Sequence, residues 1–228
     1  MRADTMAATR RSTLLGLAAL LSVGWATGAA AKTKSFPATK LFPYLDLYLG
    51  IPAPQRTLFV LAYFLKLNGK PAASMQPVLI VGGSRTVLPV GADGRVQRLP
   101  SLADLKAKTQ IELSAPEGSK FSLNMEMLAR VTPATAIPAG QLVAAIDQCD
   151  RAIRSKAGLL GFAAPKIKRA VFKGAGSGTA VNAQGVARPL PLTAEGSPAF
   201  DPEQMPGTVT IKLARAPTSI ALAGRPKT

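Results

Sequence analysis

The chain has 228 residues, with 28 Lys and Arg against 12 Asp and Glu, a formal charge of +16, no histidine and one cysteine. The missing imidazole excludes Ser-His and Cys-His nucleophilic dyads, the usual zinc sites and the commonest general base. A lone Cys149 cannot close an intramolecular disulfide, so the fold rests on a core of its own, which a chain of this length can bury.

The first 31 residues carry an export pattern. Arg2, Arg10 and Arg11 are basic, Leu14 to Val23 is apolar, and Ala29-Ala30-Ala31 is a small-residue cleavage site, the order of a signal peptide. The apolar run is about half of the roughly 20 residues that a bilayer-spanning helix needs, so no retained transmembrane helix is expected. Thr9 to Leu15 partly resembles a twin-arginine export signal, with Thr13 where Phe is usual, and both export routes stay open. No cysteine follows the apolar core, which closes the lipoprotein route. The expected product is a periplasmic or secreted protein of residues 32–228.

Only three of the basic residues precede residue 32, so the positive surplus stays with the exported part. Such a surplus attracts anions over roughly a Debye length, ~8 Å at physiological salt. In the periplasm those anions are lipid headgroups, lipopolysaccharide phosphates and peptidoglycan carboxylates, or an acidic protein. Export removes nucleic acid, the common partner of a basic chain. The basic residues are densest at Arg151, Arg154, Lys156, Lys166, Lys168, Arg169 and Lys173, a stretch without an acid. That run is the candidate anion-binding face; the competing reading is a solvated helix face running into a polar strand.

In chain order, residues 32–40 read as a flexible entry segment, and Leu41 to Leu49 as a short helix stopped by Gly50 before Pro52 and Pro54. Thr57 to Asn68 predicts a buried strand ending in an Asn68-Gly69 turn. Pro77–Val81, Thr86–Val90 and Arg95–Leu99 predict short strands, the last two joined by an Asp93-Gly94 hairpin. Ser101 with Asp104 predicts a capped helix through Lys108. Gln110–Ser114 and Lys120–Val131 return to strand patterning. In the second, Phe121, Leu123, Met125, Met127 and Ala129 predict a buried face, opposite a mostly wet face holding Glu126 and Leu128. Pro133 to Pro138 reads as a linker.

The clearest helix runs from about Ala139 to Gly158. Leu142, Ile146, Cys149, Ile153 and Ala157 fall on one stripe, and Asp147–Arg151 and Asp150–Arg154 pair four residues apart on the wet side. Further strands follow at Ile167–Phe172, Thr179–Asn182, Val186–Leu192, Thr208–Ala214 and Ser219–Ala223, with a polar loop over 194–206. The pattern predicts an α+β protein, mainly antiparallel β with a β-sandwich as one arrangement, and one amphipathic helix near 139–158. Residues 32–228 form one exported domain, with 132–138 as the place where two subdomains would divide.

Chemistry is sparse. Cys149 sits on its helix's apolar stripe without a base, which makes it a small core residue. No Ser-x-x-Lys occurs, and the adjacent Ser119-Lys120 and Ser155-Lys156 point to different faces. Glu112, Glu117, Glu126, Asp147 and Asp150 are the acids available for a carboxylate pair, and none sits in an apolar setting marking a raised pKa. Gly174 to Thr179 lacks both phosphate-loop orders and reads as a connection. The aromatics Phe42, Tyr44, Tyr48, Phe59, Tyr63 and Phe64 are core at these spacings. The expected function is a non-enzymatic binding or scaffold module for an anionic envelope component or acidic partner, with no cofactor or metal. The alternative is a histidine-free, carboxylate-dependent envelope enzyme acting on glycan or lipid.

Overall fold

A computed structural model describes residues 31–160 and 166–226. Strand β1 (Ala31–Pro37) leads into two short helices, α1 (Ala38–Leu41) and α2 (Leu45–Leu49). A 3-10 turn at Ala53–Arg56 precedes the long strand β2 (Phe59–Leu67), followed by β3 (Lys70–Pro71), β4 (Val78–Val81) and β5 (Ser84–Val87). Helix α3 (Leu102–Lys106), β6 (Gln110–Pro116), β7 (Phe121–Ala129) and β8 (Ala136–Pro138) come next, and β8 runs directly into helix α4 (Ala139–Leu160). The last strands are β9 (Arg169–Lys173), β10 (Gly178–Asn182), β11 (Ala187–Pro189), β12 (Ala199–Phe200), β13 (Thr208–Leu213) and β14 (Ser219–Ala223).

Every ladder is antiparallel. Three sheets result, in the orders β1-β6-β4-β5, β11-β10-β13-β8 and β12-β9-β14-β7-β2-β3. The class is α+β on antiparallel sheet, with a sheet curled into a half-barrel. Strands from before and after α4 share the six-stranded sheet, its two halves β12-β9-β14 and β7-β2-β3 meeting where β14 pairs with β7.

Local chemistry accounts for the joints. Asn68 and Gly69 both take positive φ, 50° and 80°, as a two-residue hairpin turn with right-handed twist requires. Ser101 accepts from the Asp104 backbone while the Asp104 carboxylate accepts from Ser101 N–H, a complete capping box that starts α3.

The main core lies between the β2 face carrying Phe59, Leu61, Tyr63 and Leu65 and the stripe Leu142, Ala145, Ile146, Cys149 and Ala152 of α4. Burying each large side chain here contributes ~1.5–3 kcal/mol. Gln148 ties α4 to the 3-10 turn region by accepting from Leu58 N–H at 2.7 Å and donating to Pro54 O at 3.3 Å. Cys149 is fully buried, and burial, then the Asp150 charge, push its thiol up to about 12. It is a packing residue without thiolate character at neutral pH.

Several local expectations change, among them the predicted strand Arg95–Leu99, which forms none, and the core reading of Tyr44, which is half exposed. Residues 32–37 are not a loose entry segment but the edge strand β1, paired over its length with β6 and anchored by Phe36 packing edge-to-face on Phe121 at 5.5 Å. The backbone ladder orders a stretch whose side chains are mostly polar. The stretch read as a linker contains β8, paired with β13. Leu128 is buried on the β7 face expected to be wet, whereas Met125 on the opposite face is 40% exposed. Leu128 is covered by the sheet's second apolar cluster, where it packs with Ala62, Val171, Ala199 and Ala221. Finally, Asp150 is buried instead of facing solvent. Its Oδ2 receives Arg154 as expected, while Oδ1 accepts from Ile167 N–H at 2.9 Å. Asp147 and Arg151 stay exposed and do not pair with each other. Of the stretch 1–31 expected to be an export signal, residues 1–30 lie outside the described residues, as does the side chain of Ala157, and no described helix is long and apolar enough to cross a membrane.

Candidate functional site

The site arises where two strands part. Residues directly opposite in an antiparallel ladder share a face. Leu61, Met127 and Leu222 are therefore on the face toward α4, and Ala62, Glu126, Leu128 and Ala221 on the other. β7 and β14 pair only at Leu128↔Ala221 and Met127↔Leu222. Beyond that point Glu126 and Ala223 no longer face a partner across this ladder. A cavity of about 940 Å³ occupies the opening, within the range of small-molecule sites.

Its lining comes from both faces of the sheet. Leu47, Tyr48 and Ile51 from the α2 region and Ala152 and Ile153 from α4 form one apolar wall. Met125, Met127, Val171, Ala221, Leu222 and Ala223 form the strand wall, and Thr193, Glu195 and Ser197 come from the loop between β11 and β12. Tyr44 stands half exposed on the lining, with left-handed backbone at φ 64°. A non-glycine residue there costs ~1–2 kcal/mol, and the Tyr63 hydroxyl helps to hold the turn by donating to Pro43 O at 2.5 Å. Burial, and next the Asp46 charge, raise the Tyr63 hydroxyl pKa and keep it a donor.

Four cations line this largely apolar space: Lys66, Lys156, Arg169 and Lys173. Lys156 donates to Gly50 O at 3.1 Å, and Arg169 donates to Gly224 O at 2.9 Å. Lys173 pairs with Glu126 and lies 5.8 Å from the centre of the Phe64 ring. The second acid, Glu195, receives hydrogen bonds from its own backbone and from Thr193, with Arg169 and Lys173 nearby, and sits below the usual carboxylate range. A depressed Glu195 is a poor proton donor.

The predicted basic run divides. Lys156, Arg169 and Lys173 meet at the cavity. Arg154 is engaged by Asp150, and Lys168 by Glu203. Arg151 and Lys166 are exposed away from it. Three of the seven thus reach the cavity, two are ion-paired and two are exposed outside its lining. A linear count cannot see that division. Sequence reasoning missed Lys66, which β2 delivers from far upstream; its signal was a charge interrupting an apolar strand. Of the proposed acids only Glu126 reaches the cavity. Glu112 pairs with Arg85 at 2.5 Å on the surface. The described residues contain no cluster of metal-ligating side chains.

Lys168 belongs to an ionic cluster below the site, where Arg225 donates to Asp201 at 2.6 and 3.1 Å and to Glu203 at 2.7 Å. Bonds from Lys168, then Arg225, lower the Glu203 pKa. A carboxylate depressed in the folded state stabilises above its unfolded pKa of about 4.3 and loses that contribution as pH falls through the folded value. Melting temperatures measured between pH 7 and pH 3 should fall more steeply for the natural protein than for Glu203→Gln, the two curves converging at the acid end. Parallel curves would mean that the cluster does not couple to folding.

No family model matches this chain, and neither the curated proteins nor the solved structures include a significant match to it.

Proposed function

We propose that this protein is an exported binding protein for a small amphiphilic anion of the cell envelope, a molecule with an apolar body and an acidic head. One observation carries the reading: a mostly apolar cavity of about 940 Å³ is edged by Lys66, Lys156, Arg169 and Lys173. Apolar burial drives entry at ~25 cal/mol per Å² of surface removed from water, and cations in a partly desolvated space orient the head. A purely surface-binding module would present its basic run outward and unpaired, whereas Arg154 and Lys168 are already engaged by acids of the chain itself.

Calorimetric titration with decanoate and with decanol, at low and at high salt, tests it. Decanoate is expected to bind about tenfold or more tighter than decanol at low salt, and the difference to shrink as salt screens the head. Equal binding of the two, or binding of neither, would overturn the proposal.

A further inference from the structure

Within that reading, the cavity's acids say what else the head carries. A site for a simple anion gains nothing from carboxylates, yet Glu126 and Glu195 stand among the four cations. Glu126 is the informative one. One of its carboxylate oxygens, Oε1, holds Lys173. The other, Oε2, is closed off from solvent and has no hydrogen-bond partner. Neither residue directly beside it across the sheet supplies one: the residue opposite on β2 is Ala62, and on the far side β14 has already parted, leaving Ala223. A buried acceptor left without a donor is unfavourable, and more so when it is charged.

We propose that the cavity selects amphiphiles whose head pairs an anion with an adjacent ammonium N–H donor, the chemistry of an ethanolamine phosphate, with Glu126 receiving the ammonium and Lys173 and Arg169 the phosphate. The exchange is balanced in charge. The internal Lys173–Glu126 pair opens, each partner takes the complementary half of the head, and no charge is left buried alone. The carboxylate's last torsion is broad and two-fold, so either oxygen can turn into the cavity without strain. The Phe64 ring remains beside Lys173 as it turns toward the phosphate. A quaternary ammonium fits the same space but has no N–H to donate, and a bare phosphate leaves Glu126 facing a like charge.

The test uses octanoyl lysolipids below their micelle concentration: the ethanolamine, the choline and the headless lysophosphatidic acid forms, with decanoate as reference. Calorimetry on the natural protein should rank the ethanolamine form about tenfold or more tighter than the choline form and tighter than lysophosphatidic acid. Glu126→Gln should bring the ethanolamine and choline forms within about threefold of each other and strengthen lysophosphatidic acid binding. If ethanolamine and choline forms bind the natural protein equally, or lysophosphatidic acid binds best, the head assignment is wrong while the amphiphile reading stands. If no lysolipid binds and decanoate does not either, the amphiphile reading itself fails. The ranking on the natural protein decides the matter even where Glu126→Gln folds poorly.

Discussion

Asp150→Ala should lower the unfolding free energy by about 2–4 kcal/mol, a drop in melting temperature of roughly 5–15 °C for a chain of this size. The side chain is buried and makes two different connections. Along the helix it receives Arg154, and across the fold it accepts from Ile167 N–H at 2.9 Å. The second connection matters more. Ile167 stands just before β9, and Lys168 N–H then donates to Ala223 O at 2.9 Å, so the carboxylate fixes where the chain from α4 re-enters the sheet. Removing it leaves a buried N–H unpaired and costs Arg154 its partner. The Arg154 pair alone would contribute little, since its guanidinium side is 55% exposed and water screens it. Asp150→Asn keeps an acceptor for Ile167 and should recover at least half of the loss. Chemical unfolding monitored by circular dichroism measures all three proteins. If alanine and asparagine destabilise equally, the ion pair and not the backbone bond is what counts. If neither matters, the joint is held elsewhere.

Asp150 also shows how far the sequence could be read. The i to i+4 spacing from Asp150 to Arg154 gave the ion pair correctly. The same periodicity held the clue to burial, because 150 follows 146 by four and lies beside the stripe of Ile146, Cys149 and Ile153. A charged residue was assigned to solvent by type when its position on the helix wheel placed it inward. The longer strands from β2 onward were legible, since alternation and Asn-Gly or Gly-Gly turns are local signals, but Arg95–Leu99 has strand patterning and forms no strand, and β8 and β12 lie where a linker and a loop are expected. The edge strand β1 was not legible either. Its order derives from a ladder to β6, some 80 residues away, and polar edge residues carry no core pattern.

The cavity was illegible for a related reason. Periodicity tells which residues of a strand share a face, but not how many residues two neighbouring strands stay paired. β7 and β14 separate after two residue pairs, and that separation turns Glu126 from a surface acid into a cavity group. Leu128, read as part of a wet face, is buried by the same curl that brings Ala62, Val171, Ala199 and Ala221 together. The small alanines permit that close approach. Their importance comes from the absence of volume, which no local pattern advertises. The basic run illustrates the converse. Seven charges close in sequence were read as close in space, yet they divide between the cavity, ion pairs with Asp150 and Glu203, and open solvent.

Ala223→Phe should abolish most ligand binding while leaving the fold intact. Ala223 is the last residue of β14, half-buried, and its side chain lies on the same sheet face as Glu126, beside the gap between β7 and β14. A phenyl group there occupies the space an apolar ligand body needs. Because the position borders a cavity and not packed core, the overpacking penalty of ~1–3 kcal/mol for filled interiors should not arise, and Phe suits a strand. Decanoate affinity is expected to fall by about thirtyfold or more, roughly 2 kcal/mol of binding free energy, with the melting temperature within about 3 °C of the natural protein. Val209→Phe is the control for added surface hydrophobicity: Val209 is 48% exposed on a different sheet, in β13, and the change should leave affinity untouched. Loss of binding in both variants would point to aggregation and not to blockage. Full binding by Ala223→Phe would move the ligand away from the parting of β7 and β14 and remove the basis for assigning Glu126 and Lys173 to its head.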